Sequence, residues 1–298
     1  MSTQASSSPT ELVVVTGAST GLGAATAREL AVSGFHVLAG VRKDSDADTL
    51  RAKNIEPIIL EITRQADIAA LAERVGSDRN KRPLRALVNN AGIAVNAPIE
   101  ALPLDEWRWQ FEVNLFGHIA VTPALLPALL DSSGTVVNIS SVGGKVAMAT
   151  YGAYAGAKFA LEAVSDALRR EITAHGVKVV VVEPGAVITE MSARGIATAN
   201  RLAADMTTDQ HKRYDALVDA ITAQSHTFTE TGVPAAKASQ IVVRAATARN
   251  PRTRYTIGRD AAIIVRLARL APDRLLDRLL DRLLDRNLKP HYARRRDF

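Results

Sequence analysis

Tyr154 and Lys158 stand four positions apart, a spacing that suits acid–base chemistry. Residues four apart share one face of a helix, so the ammonium would lie close to the phenol. A phenol has a pKa near 10 and is a poor base at neutral pH, but a neighbouring cation lowers that pKa. Ser141, 13 residues upstream, offers a hydroxyl that can hydrogen-bond the same substrate oxygen. The three residues therefore indicate proton transfer to or from an alcohol or carbonyl oxygen.

A glycine-rich segment with the spacing GxxxGxG runs from Thr16 to Gly23. It follows the apolar run Leu12–Val15 and precedes an Ala-rich helix predicted from about Ala24 to Val32. Glycines permit a tight turn and close approach of backbone to a pyrophosphate, which the helix N-terminus then attracts. An ordinary strand–helix turn is the alternative, but this context favours nucleotide binding.

The second apolar run ends in Gly40-Val41-Arg42-Lys43. An acidic residue here would bind the ribose 2′-hydroxyl of NAD, and Val41 cannot do so. A guanidinium suits a 2′-phosphate, so Arg42 favours NADP (NADPH), with NAD as the alternative. Arg42 and Lys43 would otherwise be solvated loop charges, and Asp44 and Asp46 follow closely enough to compete for the arginine.

Short apolar runs separated by helical patterns make up most of the chain. Such runs predict a parallel sheet covered by helices on both faces, an α/β fold whose ligands bind at the carboxyl ends of the strands. The predicted strands are Leu12–Val15, His36–Ala39, Ile55–Leu60, Leu84–Val88, Thr135–Ile139, Lys178–Val182 and Tyr255–Ile257.

Together, these motifs resemble the short-chain dehydrogenase/reductase (SDR) family over residues 11 to about 258. The residues that carry the resemblance are Thr16-Gly17-x-x-x-Gly21-x-Gly23, Asn89-Asn90-Ala91-Gly92, Asn114, Ser141, Tyr154-x-x-x-Lys158, and Pro184-Gly185 followed by Thr189. The C-terminal extension and the run Arg252–Tyr255 into Gly258 look like the retinol- and hydroxysteroid-dehydrogenase-like members.

The resemblance implies a seven-stranded Rossmann-type doubly wound sheet and an NAD(P)-dependent dehydrogenase/reductase. Tyr154 would be the acid/base, Lys158 would modulate its pKa and bind the nicotinamide ribose, and Ser141 would orient the substrate oxygen. Asn114 would hold a water that links Lys158 to solvent. The implied cofactor-binding residues are Gly17, Ser19, Thr20, Gly21, Leu22, Gly23, Arg42, Glu61, Ile62, Asn90, Ala91, Gly92, Tyr154, Lys158, Pro184, Gly185, Val187 and Thr189.

Two positions depart from the family pattern. Glu61 stands where the family often places an aspartate near the adenine. Thr20 stands where many NADP-preferring relatives carry arginine or lysine, which weakens the NADP prediction.

The segment from about 190 to 231 lies where the family's substrate lid usually sits. A lid lined by its apolar side chains would favour a lipophilic alcohol or carbonyl of steroid, retinoid or fatty type, unless they merely attach the lid to the sheet. These side chains are Met191, Leu202, Met206, Tyr214, Leu217, Val218, Ile221 and Phe228. A reductase of small carbonyl or ketoacyl substrates and a catalytically silent cofactor-sensing protein are the alternatives.

Composition excludes several other functions. The chain has no cysteine, and its six histidines show no zinc-binding spacing, so no metal site is expected. The last 50 residues carry 14 basic and 6 acidic side chains, whereas the first 248 carry 23 and 25, so the body is not a nucleic-acid-binding domain. Residues 1–10 read as a flexible tail and not as a signal peptide, and no run is long enough to span a membrane. A cytoplasmic protein is the expectation.

The extension from 259 to 298 contains the repeat Asp-Arg-Leu-Leu after Pro272. Its leucine pairs form a broad, slowly turning stripe on a helix, and Lys289 and Arg294–Arg296 follow. Such a basic amphipathic extension could lie on an anionic membrane, pack on its own domain, cap the substrate pocket or join subunits. The family resemblance suggests a homodimer or homotetramer.

Overall fold

The computed structural model describes residues 10–285, with side chains up to Arg282. As predicted, seven parallel strands form one sheet; their order in the structure is β3-β2-β1-β4-β5-β6-β9. They are β1 (Leu12–Val15), β2 (His36–Val41), β3 (Ile55–Ile59), β4 (Leu84–Asn89), β5 (Thr135–Ile139), β6 (Lys178–Pro184) and β9 (Arg254–Ile257); β7 (Val187–Ile188) and β8 (Val233–Pro234) form a second, two-stranded sheet.

Helices cover both faces of the large sheet. They are α1 (Gly21–Val32), α2 (Asp44–Leu50), α3 (Gln65–Gly76), α4 (Leu104–Phe111), α5 (Gly117–Ser132), α6 (Gly152–Ile172), α7 (Glu190–Ala204), α8 (Thr208–Thr231), α9 (Ala235–Thr247), α10 (Arg259–Leu270) and α11 (Asp273–Asp285). Helices α1 and α9 pack on one face, and α3 and α5 pack on the other. Because β1 pairs with both β2 and β4, the strand order reverses there and opens a crevice at the strand ends.

Strand and helix ends differ from the sequence prediction by a few residues. Strand β2 continues to Val41 and β6 to Pro184, because pairing with β3 and β9 extends both ladders. Helix α1 begins at Gly21, three residues before the predicted start, directly after the extended Thr20. The glycine turn is therefore shorter than predicted, and Gly21 to Gly23 form the first turn of the helix.

Helices α4 and α5 are continuous through a π-helical turn, Glu112–Phe116. Contrary to the sequence expectation that no run could span a membrane, this stretch, Leu104–Ser132, is long and apolar enough to do so by length and composition, although half of its most apolar window is buried. Val121, Leu125 and Leu129 are fully buried against the sheet. The stretch therefore serves as a core helix of the α/β fold.

The extension folds as α10 and α11. Ala261 and Val265 of α10 are buried, and α11 contacts the long helix α8. Leu276, Leu279 and Leu280 of α11 are half-buried. These three leucines of the stripe therefore face the protein's own domain, whereas Leu275 is 48 % exposed. The predicted N-terminal tail, except Thr10, and the basic residues Lys289 and Arg294–Arg296 lie outside the described residues.

Candidate active site

The loops after β1 and β4 are tied together at the crevice. Gly17 has a φ of +63°, and a Cβ there would lie 2.6 Å from the Ala91 Cα. The Thr16 Oγ1 accepts the backbone N–H of both Asn90 and Ala91 at 3.0 Å. The Asn90 amide donates in turn to the carbonyl oxygens of Thr16 at 2.9 Å and Gly17 at 3.0 Å. The crevice therefore presents backbone groups without bulky side chains, which is a surface that a pyrophosphate can approach closely.

The rest of the glycine turn faces the segment after β7. Gly21 has a φ of +56°, and a Cβ there would lie 3.0 Å from the Thr189 side chain. Gly23 has no room for a side chain beside the Gly17 carbonyl, and Leu22 is buried in the core. Ser19 and Thr20, which lie between Gly17 and Gly21, are partly exposed. The predicted cofactor-binding positions of this turn therefore offer backbone and small hydroxyl groups at the N-terminus of α1.

At the end of β2, Val41 is buried and Arg42 points outward, with its side chain 55 % exposed. The Arg42 Nη1 lies 3.8 Å from the Glu61 Oε2. The carboxylate also accepts the Thr63 backbone N–H at 3.4 Å, and its side chain is only 21 % exposed. The acidic partner of Arg42 is thus Glu61, rather than the Asp44 or Asp46 considered from the sequence. The neighbouring Ile62 is buried against Gly117 of α5.

Ser141, Tyr154 and Lys158 come together at the carboxyl end of β5. Ser141 Oγ accepts the Gly143 N–H at 3.0 Å, and both Ser141 and the Tyr154 ring lie beside Gly143, where a Cβ would be 3.3 Å from the Ser141 Oγ and 3.1 Å from the Tyr154 Cε1. The Lys158 Nζ lies 6.0 Å from the centre of the Tyr154 ring and donates to the Ile139 carbonyl at 2.8 Å. The predicted helix face and the strand-end serine therefore meet.

Burial shifts the titration of both groups on α6. It raises the pKa of Tyr154, opposite to the lowering that the sequence predicted from Lys158, and the interaction with Ser141 opposes that rise. It lowers the pKa of Lys158 to about 8, although the carboxylate of Glu162 opposes that fall. At neutral pH the Tyr154 phenol is therefore protonated, and the neighbouring Lys158 ammonium loses its proton more easily than that of an exposed lysine.

Asn114 lies fully buried in the π-helical turn. Its Oδ1 accepts the Ile93 N–H at 2.9 Å, and its Nδ2 donates to the Ile93 carbonyl at 2.8 Å. Both ends of the amide thus fasten the loop after β4 to the helix. Gly92 lies in this loop, and a Cβ there would meet the Asn114 Oδ1 at 3.2 Å.

The other end of the site is formed after β6. Pro184 closes β6, and Gly185 lies against Ala261 of α10, where a Cβ would be 2.7 Å away. Val187 pairs with Val233 in the small sheet, and Thr189 follows beside the glycine turn. A cleft of about 450 Å³ opens here, lined by Gly21, Ile188, Thr189, Glu190, Ala193, Ile196, His226 and Thr229.

The segment predicted as a lid forms α7 and α8. Met191 reaches Gly92, where its Cε lies 3.5 Å from the position of a Cβ. Leu202 and Met206 are buried, Leu217 and Tyr151 pack against the cluster that contains Ile221, and Tyr214 donates to Glu100 at 2.8 Å. Val218 is half-buried, and Phe228 is 37 % exposed. Several of the apolar residues therefore attach the lid, and Met191 approaches the site.

Sequence analysis did not identify His118, Lys145 or Glu162 near the site. His118 is 2 % exposed on α5, and burial followed by the charge of Lys158 lowers its pKa to about 3. Lys145 and Glu162 form an ion pair close to the predicted catalytic residues. These contacts leave no local pattern in the sequence. His118 is a lone histidine in an apolar helix, and Lys145 and Glu162 are 17 positions apart. Among the described residues, no group of three or more His, Asp or Glu side chains could hold a metal ion.

Comparisons with known proteins agree with this geometry. The short chain dehydrogenase family model matches residues 11–200. Retinol dehydrogenase 7 of Mus musculus is 36 % identical, over 84 % of this chain and 81 % of that protein. An NADPH-dependent 3-dehydrocapnine reductase of Ornithobacterium rhinotracheale is 32 % identical, over 88 % and 93 %.

Solved structures share the whole fold. A short chain dehydrogenase from Burkholderia cenocepacia in complex with NADP superposes with a TM-score of 0.69 at 26 % identity, over 95 % of this chain and 99 % of that one. The chain therefore belongs to the short-chain dehydrogenase/reductase family. It is an oxidoreductase of the Rossmann type, with retinol-dehydrogenase-like relatives.

Proposed function

We propose that this enzyme transfers hydride between NADP(H) and a lipophilic alcohol or carbonyl compound, with Tyr154 as the acid/base. The observation that carries the proposal is the proximity of Ser141 and Tyr154 around Gly143, where a Cβ would lie 3.3 Å from the Ser141 Oγ and 3.1 Å from the Tyr154 Cε1, with Lys158 one helical turn away. A phenol and a hydroxyl this close together would both reach one carbonyl oxygen of a substrate.

The nicotinamide supplies or accepts the hydride. In reduction, Tyr154 protonates the substrate oxygen, and its raised pKa keeps the phenol protonated at neutral pH. In oxidation, the Lys158 ammonium stabilises the phenolate that removes the alcohol proton. Ser141 orients the substrate oxygen in both directions by hydrogen bonding.

Asn114 supports the proton path in this proposal. Its side chain is engaged with Ile93, so its direct effect is to fix the π-helical turn beside the active site. The predicted water link to Lys158 would then use the backbone of that turn rather than the amide. This relay remains a prediction.

The strand-end loops would hold the dinucleotide. The pyrophosphate would lie on the turn from Gly17 to Gly23, and the adenosine near Asn90–Gly92, Glu61 and Ile62. The nicotinamide would lie among Lys158, Pro184, Gly185, Val187 and Thr189. A preference for NADP rests on Arg42, and the similarity to an NADPH-dependent reductase and to a dehydrogenase solved with NADP supports it. NAD is the second candidate cofactor.

The lipophilic substrate is inferred from the cleft beside the lid. Ile188, Ala193 and Ile196 give it a largely apolar wall, and a relative is named for retinol. A reductase of small carbonyl or ketoacyl substrates and a silent cofactor-sensing protein remain the alternatives. The silent protein has less support, because the sequence contains Ser141, Tyr154 and Lys158, the residues expected for catalysis.

One assay separates these candidates. The absorbance of NADPH or NADH is followed over time in the presence of the enzyme and one test substrate. The substrates are steroids, retinoids, fatty aldehydes, quinones and short ketoesters. We expect turnover of apolar substrates with NADPH. Turnover of short ketoesters alone would contradict the lipophilic assignment, and cofactor binding without any turnover would favour the silent protein. An NADH preference would contradict the use of Arg42.

We also propose that the chain is a homodimer or homotetramer joined along α4, α5 and α6. Large side chains stand exposed on this surface: Trp109 at 42 %, Phe116 at 50 % and Phe159 at 44 %. Exposed aromatic residues are typical of protein interfaces. Light scattering during size exclusion would test this, and a monomeric wild-type protein would refute it. A cytoplasmic location remains a prediction.

The sequence predicted peripheral membrane contact through the C-terminal helix with the Asp-Arg-Leu-Leu repeat; because α11 contacts α8, we propose this contact for the outer face of α10 instead. Leu270 is 86 % exposed and Ile263 is 55 % exposed, and both lie beside Arg266 and Arg269. Apolar and basic side chains on one helix face suit an anionic lipid surface. Substituting Leu270→Glu should reduce sedimentation with phosphatidylserine vesicles, whereas vesicles of phosphatidylcholine should bind neither protein. Equal binding of wild type and variant would refute the contact.

A further inference from the structure

Buried charges lie directly behind the catalytic residues. Lys145 follows the short 3₁₀ turn Val142–Gly144 that Ser141 opens. Its Nζ lies 2.6 Å from the Oε2 of Glu162 on α6, whose side chain is 5 % exposed. Arg254 of β9 reaches the same carboxylate oxygen at 3.0 Å. A carboxylate so deeply buried needs such partners to remain charged.

Two contacts connect this turn to α6. Ser141 and Lys145 are four positions apart on the turn, and they meet Tyr154 and Glu162, which are eight positions apart on the helix. The first contact is that of Ser141 with Tyr154, and the second is the ion pair of the partly buried Lys145 with the buried Glu162. The position of the Ser141 hydroxyl therefore depends on both ends of one short segment.

The segment lies tightly against the helix between these contacts. A Cβ on Gly144 would lie 2.6 Å from the Ser140 Oγ, 3.1 Å from the Lys158 carbonyl and 3.2 Å from the Glu162 Cγ. Only a glycine fits there. A shift of Lys145 would therefore also shift Ser141, because the turn between them is too tightly packed to adjust.

A second carboxylate extends the cluster toward the C-terminal helices. Glu183 of β6 is 1 % exposed and accepts the Thr256 hydroxyl at 2.9 Å. Its Oε1 lies 3.4 Å from Arg254, 3.9 Å from Lys145 and 4.0 Å from Arg269 of α10. Burial and the nearby Glu162 raise the pKa of Glu183. Replacing buried ion pairs with apolar side chains is often neutral or stabilising, so stability alone explains this cluster poorly.

We propose that Glu162 is a positioning residue for the hydride-transfer reaction. Through Lys145 it fixes the turn that carries Ser141, and so sets the separation of the Ser141 hydroxyl from the Tyr154 phenol. The inference rests on the proposed function, since it assigns Glu162 to the same reaction. Errors of about 1 Å in such geometry can cost about 100-fold in rate.

Two variants break the ion pair from opposite sides, Glu162→Gln and Lys145→Met. Each should lower kcat by about ten-fold, as expected for a partial loss of positioning, and leave the Kd for NADPH within about two-fold. The double variant should be no slower than the slower single variant, because both substitutions remove one contact. Additive losses, or an unchanged kcat in both single variants, would overturn the proposal.

Asp166→Asn is the matched control. Asp166 lies one turn beyond Glu162 on α6 and binds Arg254 at 2.7 Å, but it does not reach Lys145. Its substitution should lower the thermal unfolding temperature and leave kcat unchanged. An equal loss of kcat in this variant would show that any damage to the cluster slows the enzyme, and would also overturn the specific role of Glu162.

The pH profile gives a readout that general destabilisation would not move. The charged or titratable groups that face Lys158 are Tyr154, His118 and Glu162. Because the Glu162 carboxylate raises the pKa of Lys158, Glu162→Gln should move the alkaline limb of kcat to lower pH. Lys145→Met leaves that carboxylate in place, so it should not move the limb in that direction. The same acidic displacement in both variants would contradict this explanation.

A measurement without substrate separates this inference from the proposed function. Hydrogen exchange of the peptide spanning 141–146 reports on the Gly143 amide, which is bonded to the Ser141 hydroxyl. Both single variants should exchange faster there, and Asp166→Asn should not. Unchanged exchange would overturn the positioning role. Absence of NADPH binding and turnover in the wild type would instead refute the proposed function.

Discussion

Cofactor selectivity should depend on the pair formed by Arg42 and Glu61. Their nearest charged atoms are 3.8 Å apart. Two unit charges at about 4 Å interact by about 1 kcal/mol in water and by about 4 kcal/mol at an effective dielectric constant near 20. Because the Arg42 side chain is 55 % exposed, the lower value applies, in line with about 0.2–1 kcal/mol for exposed pairs.

A 2′-phosphate must compete with this carboxylate for the guanidinium. Removing the charge with Glu61→Gln should therefore strengthen NADPH binding by up to about five-fold, the equivalent of about 1 kcal/mol. NADH lacks the 2′-phosphate, so its Kd should change by less than about two-fold. Arg42→Ala should have the opposite effect, weakening NADPH binding and leaving NADH binding nearly intact.

Isothermal titration of both cofactors against the two single variants and the double variant measures this directly. In the Arg42→Ala background, most of the gain from Glu61→Gln should vanish, since the arginine that it frees is gone. Raising the salt concentration should reduce the effect, because exposed charges are screened. Equal strengthening of both cofactors by Glu61→Gln would refute the competition. Equal weakening of both by Arg42→Ala would refute the role of Arg42 in the NADP preference.

Three further outcomes are expected. Tyr154→Phe should abolish turnover with the Kd for NADPH unchanged, and measurable turnover in that variant would contradict the acid/base assignment. Phe159→Glu should shift an oligomer toward monomer in light scattering, because a charge would enter the exposed aromatic surface. Arg74 lowers the pKa of Glu56 to about 2 from an ordinary 4.5, so their pair should stabilise the fold above pH 4.5 and lose that effect as the pH falls toward 2. Urea unfolding of Glu56→Gln across this window should show the difference from wild type shrinking at acid pH.

Local patterns allowed much of the fold and the site to be predicted. Continuous apolar runs such as Leu12–Val15 indicate strands because a parallel sheet buries both faces. Tyr154 and Lys158 are four apart on one helix, so their proximity follows from helix geometry alone. The glycine turn is recognisable for the same reason, since positions such as Gly17 need a conformation and a closeness that other residues do not tolerate.

Contacts set by strand register and by packing between distant elements were not predictable in the same way. Arg42 and Glu61 meet because β2 pairs with β3 in parallel, with Val41 opposite Ile59. The sequence suggested Asp44 and Asp46 as competitors because only nearness along the chain is visible there. The burial of Lys145 against Glu162 likewise depends on how the turn after β5 lies on α6.

We expect the C-terminal extension to stabilise the rest of the domain through two chains of contact. Gly185, beside the proposed nicotinamide site, lies against Ala261 of α10. Helix α11 contacts α8, and α8 bears Ser225, which hydrogen-bonds Tyr151 next to Tyr154. Removing residues after Ala271 should therefore loosen the lid helix and raise KM for an apolar substrate, even in the absence of any membrane. For that reason a point change such as Leu270→Glu isolates membrane contact, whereas truncation would combine two effects.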